Sequence, residues 1–163
     1  MKLKITAPLR SPVMHVEPGF IDYNGHMNLA YYQVLFDRHL DIEFEQFGLG
    51  MTYLKEQQHS FFALEAHLSY RRELKLNDPV VTTFQLIDHN DKCMHFSMEM
   101  FHAEQGFLAC ATSQLSIHID MRRRKPVPFL PEALAVVQAL KAAHAHLPVS
   151  ALAGRAVGIR RKV

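Results

Sequence analysis

The sequence predicts a single α+β domain, and three observations carry that prediction. Apolar residues recur at helical spacing through Tyr32, Phe36, Leu40, Phe44 and Phe47. After Gly50 the period changes to two and stays there as far as Ile119. The breaks between the alternating stretches are short and turn-like, which makes the strands antiparallel hairpins. A chain of 163 residues suits one domain, with a core over about residues 10–130 and a helix and tail over 131–163.

Residues 8–28 are irregular, rich in Pro, Gly, Asn and Asp. The first helix follows, with Asn28 as N-cap and Gly48 as the residue just past its end, a length of about 28 Å at 1.5 Å per residue. Gln33, Asp37, Asp41 and Glu45 form a second, polar face, while Tyr31, Val34, Leu35 and Ile42 widen the apolar one, so this helix needs cover from several sides. The first strand alternates Phe62, Leu64, Ala66, Leu68 and Tyr70 on one face against Glu65, His67, Ser69 and Arg71 on the other. Further strands are expected over Val80–Ile87, from Met94 to Met100, and over Phe107–Ile119. Their turns fall at Asn77-Asp78-Pro79, Asp88–Asp91 and Glu104-Gln105-Gly106. Pro131-Glu132 opens a last helix that ends near His146-Leu147-Pro148, and a basic tail runs from Arg155 to Val163.

Composition excludes several function classes. A formal net charge of +2 is too small for a nucleic-acid-binding surface. The two cysteines, Cys93 and Cys110, build neither a disulfide framework nor a Cys-rich zinc site, which points to a reducing compartment. The first eight residues carry charge without a following apolar segment, and no run approaches the roughly 18 apolar residues of a membrane span. A cytoplasmic protein without membrane contact is expected.

The densest polar cluster, Asp22-Tyr23-Asn24-Gly25-His26-Met27-Asn28, lies directly ahead of the long helix. The first N–H groups of a helix lack internal partners and carry the positive end of its dipole, so they can bind an oxyanion forming beside them. Gly25 lets a ligand approach the backbone, and Asp22 is in reach as general base or as nucleophile on a carbonyl carbon. This is an acyl-transfer constellation. The same residue types also suit any capped loop-to-helix junction, which is the plain structural alternative.

That cluster, followed by Tyr32 and Phe36, resembles the Asp-x-x-Gly-His-(Met/Val)-Asn-x-x-x-Tyr signature of the 4-hydroxybenzoyl-CoA thioesterase-like family. Glu65 with Tyr70, Arg71 and Asp78 is similar to the family's second-strand pattern, and His118-Ile119-Asp120 with Arg124–Pro128 resembles the end of its last strand. The likeness spans roughly residues 12–133. It implies a hot-dog fold, in which an antiparallel sheet wraps one long helix, and dimers with joined sheets. The edge strand that such a sheet leaves is a liability unless paired, which predicts a homodimer, alone or doubled to a tetramer. The resemblance implies more than the fold. It also implies cleavage of acyl-CoA thioesters at the dimer interface, with the catalytic Asp at Asp22 and with Gly25, His26 and Asn28 in the same motif. CoA then arrives as part of the substrate and no separate cofactor is needed. The chain departs from the family in its extra C-terminal helix and in lacking the Trp common before that Asp. Within the family, Asp22–Asn28, Tyr31, Tyr32 and the Leu64, Glu65, His67, Tyr70 strand resemble thioesterases that hydrolyse betainyl-CoA. A quaternary ammonium is held best by aromatic faces and a carboxylate, which Tyr23, Tyr31, Tyr32, Phe36, Phe62 and Glu65 can supply. The alternative is a hydrophobic pocket for a short or medium acyl chain.

Glu65 is either a second catalytic acid or one half of an ion pair with Arg71 or Arg72, because a carboxylate between Leu64 and Ala66 needs a partner or a function. His67 and His59 can reach the same cavity. Arg122 and Arg124, in the run Arg122–Lys125, either grip the CoA phosphates or mark a solvated strand end. His144-Ala145-His146 lacks zinc spacing, so no metal is expected. Walker, dinucleotide and Gly-x-Ser-x-Gly motifs are absent from the sequence. A hot-dog hydratase would be expected to show Asp-x-x-x-x-His, one residue longer than the interval from Asp22 to His26. The remaining rival is a non-catalytic acyl-CoA or acyl-carrier binding module.

Overall fold

The computed structural model describes residues 5–159, so the first four residues and the end of the basic tail, Arg160 to Val163, lie outside the described residues. Two short strands, β1 (Leu9–Arg10) and β2 (Met14–His15), lead through a 3-10 turn to helices α1 (Leu29–Gln46) and α2 (Met51–Gln57). Four long strands follow: β3 (His59–Tyr70), β4 (Pro79–His89), β5 (Cys93–His102) and β6 (Leu108–Asp120). A short β7 (Lys125–Pro126) precedes helix α3 (Pro131–His144). The sheet runs β1-β4-β5-β6-β3, with β2 on β4 and β7 on β6, and all its pairings are antiparallel. α1 lies in its concave face, which is the hot-dog arrangement expected from the sequence.

α1 forms where its apolar period and its caps agree. Asn28 Oδ1 accepts from the Ala30 N–H at 3.1 Å, and Gly48 takes the left-handed conformation, φ +71°, just past the end. Leu35 and Phe36 are fully buried against an inward row of Phe84, Phe96, Met98 and Met100. α2 was not legible because its first turn is completed from outside: the Thr52 N–H donates to Glu45 Oε2 at 3.1 Å. Its N-cap, Gly50, comes so close to α1 that a Cβ there would stand 2.8 Å from the Glu45 nitrogen, so only glycine fits.

β3 departs from the simple alternation. Ala63 pairs with Ser116 but Glu65 already pairs with Leu115, so Leu64 is an extra residue, a β-bulge. The bulge reverses which parity faces inward. Phe61, not Phe62, packs inward against Phe44 at 5.4 Å and Phe129 at 6.0 Å, whereas beyond the bulge Leu68 and Tyr70 face the helix side. Phe62 lies on the outer face under the Arg124 guanidinium, 5.3 Å from its ring centre.

α3 packs Ala133, Val137 and Leu140 into the core. His144 Nδ1 accepts the Leu86 N–H at 3.0 Å, and Nε2 lies 3.3 Å from the Thr6 carbonyl. The segment after α3 then crosses the outer face of the sheet, where the Leu147 carbonyl accepts from Gln85 and Ser150 donates to Glu99 at 2.7 Å. At the far end of β6, His118 Nδ1 lies 3.1 and 3.0 Å from the Val127 and Pro128 carbonyls, so that nitrogen carries the proton. Its Nε2 therefore accepts from the Tyr53 hydroxyl at 2.9 Å.

Burial pushes both His118 and His144 below the usual histidine range. The unfolded chain therefore binds more protons than the folded one once the pH falls through about 6.5, and stability declines from there downward. The melting temperature should drop between pH 7 and pH 5 and drop less in a His118→Gln variant; a flat profile across that interval would contradict the neutral, buried assignment.

Candidate active site

The loop from Ile21 to Met27 closes on itself before α1 begins. Ile21 and Met27 form an antiparallel bridge. The Asp22 N–H donates to the His26 carbonyl at 3.1 Å, and the Gly25 N–H to the Asp22 carbonyl at 3.0 Å. Gly25 sits at φ +78°, a turn conformation that disfavours side chains. Two bonds fix the loop to the body: the Met27 N–H to the Leu74 carbonyl at 2.7 Å, and the Asn28 N–H to the Phe20 carbonyl at 2.9 Å. Tyr70, at the end of β3, donates its hydroxyl to the Leu29 carbonyl at 3.1 Å, tying the sheet to the helix start.

This frame holds the Asp22 carboxylate at the start of α1 with its side chain 15% exposed. Oδ1 accepts the Asn24 N–H at 2.8 Å and lies 3.9 Å from His26 Nε2. Oδ2 is 3.5 Å from the Asn28 amide nitrogen. Asp22, Gly25, His26 and Asn28 thus form one cluster. The cap changes one expectation, since the Ala30 N–H is taken by Asn28 Oδ1 and the Tyr31 N–H by the Asn28 carbonyl. Of the first helical donors, the Leu29 N–H is the one that capping leaves uncommitted. Beside it is a cavity of about 260 Å³ lined by His26, Leu29, Tyr32, Tyr70 and Arg71.

The other expected residues do not gather there. Glu65 and His67 point to the outer face of the sheet, where they line a separate cavity of about 290 Å³ with His95, Ser113 and Arg155. Nor does Glu65 pair with Arg72, whose guanidinium stacks on Phe107 at 4.0 Å. The expected aromatic cage is dispersed as well. Tyr23 is 97% exposed, Tyr31 stacks on Phe20 at 4.4 Å, and Phe36 is core. Tyr32 is buried edge-on to Tyr70 at 5.2 Å, where burial pushes its hydroxyl up to about 12. The bulge at Leu64 puts Phe62 on the wrong side of the sheet for any such cage.

Arg122 and Arg124 occupy the turn between β6 and β7. Asp120 organises that turn by accepting the N–H groups of Arg122 and Arg123 at 2.9 and 3.1 Å. Those backbone bonds, first the one from Arg123, hold the Asp120 carboxyl below its ordinary range. Because His59 pairs with Asp120, this turn marks the His59 end of β3, while Asp22 belongs to the Tyr70 end. Within one chain the arginines and Asp22 are therefore far apart. Among the described residues no group of three or more His, Cys, Asp or Glu side chains is placed to hold a metal ion.

Sequence reasoning missed one feature. The polar face of α1 lines a cavity of about 500 Å³ between α1 and the β3–β6 edge, with Asp37 and Asp41 on one wall and Ser116 on another. The signal was in the chain as carboxylates one helical turn apart, with Arg38 as the one Lys or Arg at pairing distance, three residues before Asp41, but it reads equally as a solvated face.

The profile of the thioesterase-like superfamily matches residues 16–137. The betainyl-CoA thioesterase of Pseudomonas aeruginosa is 31% identical over 156 residues, covering 96% of this chain and 96% of that protein. The L-carnitine dehydrogenase/betainyl-CoA thioesterase of Rhizobium meliloti is 32% identical over 98% of this chain, which spans only 32% of that longer relative. Among solved structures, a Staphylococcus aureus protein in complex with CoA superposes with a TM-score of 0.87 at 22% identity, covering 98% of this chain and 100% of that one. A Pseudomonas putida putative thioesterase gives 0.81 at 22% identity over 96% and 99% of the two chains. Their likeness shows the fold, while the profile match over most of the chain and the Pseudomonas aeruginosa relative establish that the chain belongs to the thioesterase-like superfamily.

Proposed function

We propose that this protein hydrolyses a small acyl-CoA thioester to the free acid and CoA, with Asp22 as the acting carboxylate. The observation that carries this reading is the Asp22 carboxylate held against the side chain of Asn28, the N-cap of α1, next in sequence to the Leu29 N–H that capping leaves uncommitted. Asp22 acts on the thioester carbonyl carbon, as nucleophile or through a water that it deprotonates. As nucleophile it forms a mixed anhydride as the C–S bond breaks, and a water then opens that anhydride to the free acid and the restored carboxylate. As base it takes a proton from the water whose oxygen bonds the carbonyl carbon. In either case the departing thiolate takes up a proton from that water to leave as CoA. The oxyanion developing on the carbonyl is met by the helix-start N–H and dipole. His26 and Asn28, around Asp22, hold its orientation. The names of the relatives support betainyl-CoA as the acyl donor. No cofactor or metal enters this scheme. The free cysteines, Cys93 and Cys110, suit a cytoplasmic setting, and none of the described helices is long and apolar enough to cross a membrane.

The active unit in this reading is a homodimer, alone or doubled to a tetramer. β3 is the last strand of the sheet and offers a 12-residue edge with Leu64 53% exposed. Such an edge invites pairing with another chain, and a two-fold axis makes that pairing antiparallel and closed. It also sets the Tyr70 end of one β3 beside the His59 end of the other. The basic turn of one chain, with Arg122 and Arg124, then comes next to Asp22 of the second, where those guanidinium groups can hold CoA phosphates.

Thiol release from a panel of acyl-CoA compounds tests the activity and separates hydrolysis from mere binding or hydration. Asp22→Asn should retain the fold and lose about 10²–10⁴-fold in turnover, whereas Glu65→Gln, on the outer face, should stay near the unsubstituted rate. Near-normal hydrolysis by Asp22→Asn would reject this assignment. Sedimentation should give a species of at least twice 18.7 kDa; a monomer at micromolar concentration would reject the shared arrangement.

A further inference from the structure

The cavity between α1 and the β3–β6 edge, about 500 Å³, is nearly twice the size of the one beside the helix start, and nothing above uses it. Its α1 wall carries Asp37 and Asp41. Helix α1 holds four carboxylates, and two of them are accounted for: Glu43 Oε1 is 3.2 Å from His39 Nε2, and Glu45 completes the first turn of α2. The neighbouring cation, Arg38, is taken by Glu17 at 2.5 Å. Asp37 and Asp41 have no hydrogen-bond or ion-pair partner among the described residues, and their spacing is one at which like charges repel across a helical turn. Desolvation and then the charge of Asp41 hold Asp37 above the usual carboxylate range. Independently, Ser116 lines the same cavity while 7% exposed, and its hydroxyl has no partner among the described residues. The remaining lining includes the rings of Phe44 and Phe61, 5.4 Å apart.

Carboxylates beside aromatic faces, in a space wide enough for a branched group, fit a cation with an apolar shell, a quaternary ammonium above all. Such a group cannot reach from the Asp22 of its own chain. α1 runs antiparallel to β3, with Leu29 at the Tyr70 end and Phe44 at the Phe61 end, and Asp37 lies roughly 13 Å along the helix from Asn28. A betainyl carbonyl carbon and its nitrogen are separated by only about 2.5 Å. A two-fold pairing of β3 removes the difficulty, because the partner's Tyr70 end and helix start then come beside Ser60, Phe61 and Ala63 on the cavity rim.

We propose that Asp37 and Asp41 bind the cationic end of an acyl group whose thioester carbonyl meets Asp22 of a second copy, and thereby select positively charged acyl-CoA substrates. This rests on thioester hydrolysis at Asp22.

The test compares kcat/KM for betainyl-CoA with that for 3,3-dimethylbutanoyl-CoA, in which carbon replaces the charged nitrogen at equal shape. The unsubstituted protein should favour betainyl-CoA by about tenfold or more, and the Asp37→Asn/Asp41→Asn variant should lose most of that ratio while hydrolysing the neutral ester within about threefold of the original rate. Hydrolysis of both esters with no preference, or a preference that survives both substitutions, overturns the proposal and leaves the hydrolase reading intact. Thiol release from neither ester overturns both. Hybrid dimers of one Asp22→Asn chain with one Asp37→Asn/Asp41→Asn chain supply the geometric arm. One of their two sites joins an intact Asp22 to an intact cavity across the interface, so about half of the betainyl activity should return. Hybrids no more active on betainyl-CoA than the better of their two parents would overturn the assignment to a second copy.

Discussion

The seating of α1 against the concave sheet is the constraint on which the rest of the molecule depends. Leu35 and Phe36 are completely buried opposite Phe84, Phe96, Met98 and Met100, each at most 1% exposed. Burying one such side chain contributes about 1.5–3 kcal/mol, so turning the helix by even one residue would lose several. With the rotation fixed, helical periodicity assigns every other position on α1 its surroundings. The polar groups that must go inward are matched: His39 Nδ1 is 2.7 Å from the Thr82 hydroxyl, and its Nε2 is 3.2 Å from Glu43. The carboxylate can only accept, so Nε2 carries a proton and, in the neutral ring, Nδ1 accepts from the threonine. A matched buried network of this kind specifies one packing, since each member would be costly left unpaired. The same rotation turns Asp37 and Asp41 toward β3 and fixes where the first N–H of the helix points.

β3 translates that seating into a site. Its Tyr70 end is bonded to the helix start and its Phe61 end to the helix C-terminal half, so the strand spans both regions where chemistry is concentrated. The bulge at Leu64 lets one strand face inward with Phe61 before it and with Leu68 and Tyr70 after it. It also sends Glu65 and His67 outward, toward the segment that crosses the sheet after α3. Without the bulge, Glu65 would turn toward α1 and bring a further carboxylate to a wall that already carries Asp37 and Asp41.

Much of this was legible in the sequence because the signals are local. The limits of α1 follow from Asn28 and Gly48, those of α3 from Pro131, and the inward methionines of β5 from strict alternation. The cluster at Asp22 was legible for the same reason: its own side chains, Asp22 to Asn28, lie within seven positions, although Leu74 and Tyr70 anchor it from a distance. What the sequence hid is what depends on distant partners. α2 is completed by Glu45 from another helix, and β7 exists only by pairing with Ile119 and Asp120. The bulge is set by register against β6, and one displaced residue was enough to put Phe62 on the wrong face and to scatter the aromatic residues expected to gather. Asp37 and Asp41 were visible as a polar row, yet a polar row looks the same whether water or a cavity lies beyond it.

A single chain of this fold leaves two requirements open at the same edge. β3 presents backbone donors and acceptors along 12 residues, and behind it stand two carboxylates without a partner among the described residues and the cavity-facing Ser116. Backbone pairing with a second β3 answers the first requirement, because it satisfies the edge without depending on side-chain identity. It cannot answer the second, which calls for a cation. The proposed homodimer would therefore close the sheet while leaving the cavity electrostatically incomplete, and an incomplete cavity of one sign favours whatever ligand brings the opposite one. Under that proposal assembly and recognition would fall to different chemical groups on one strand and its flanking helix, so that side chains lining the cavity could change without disturbing the backbone pairing at the edge.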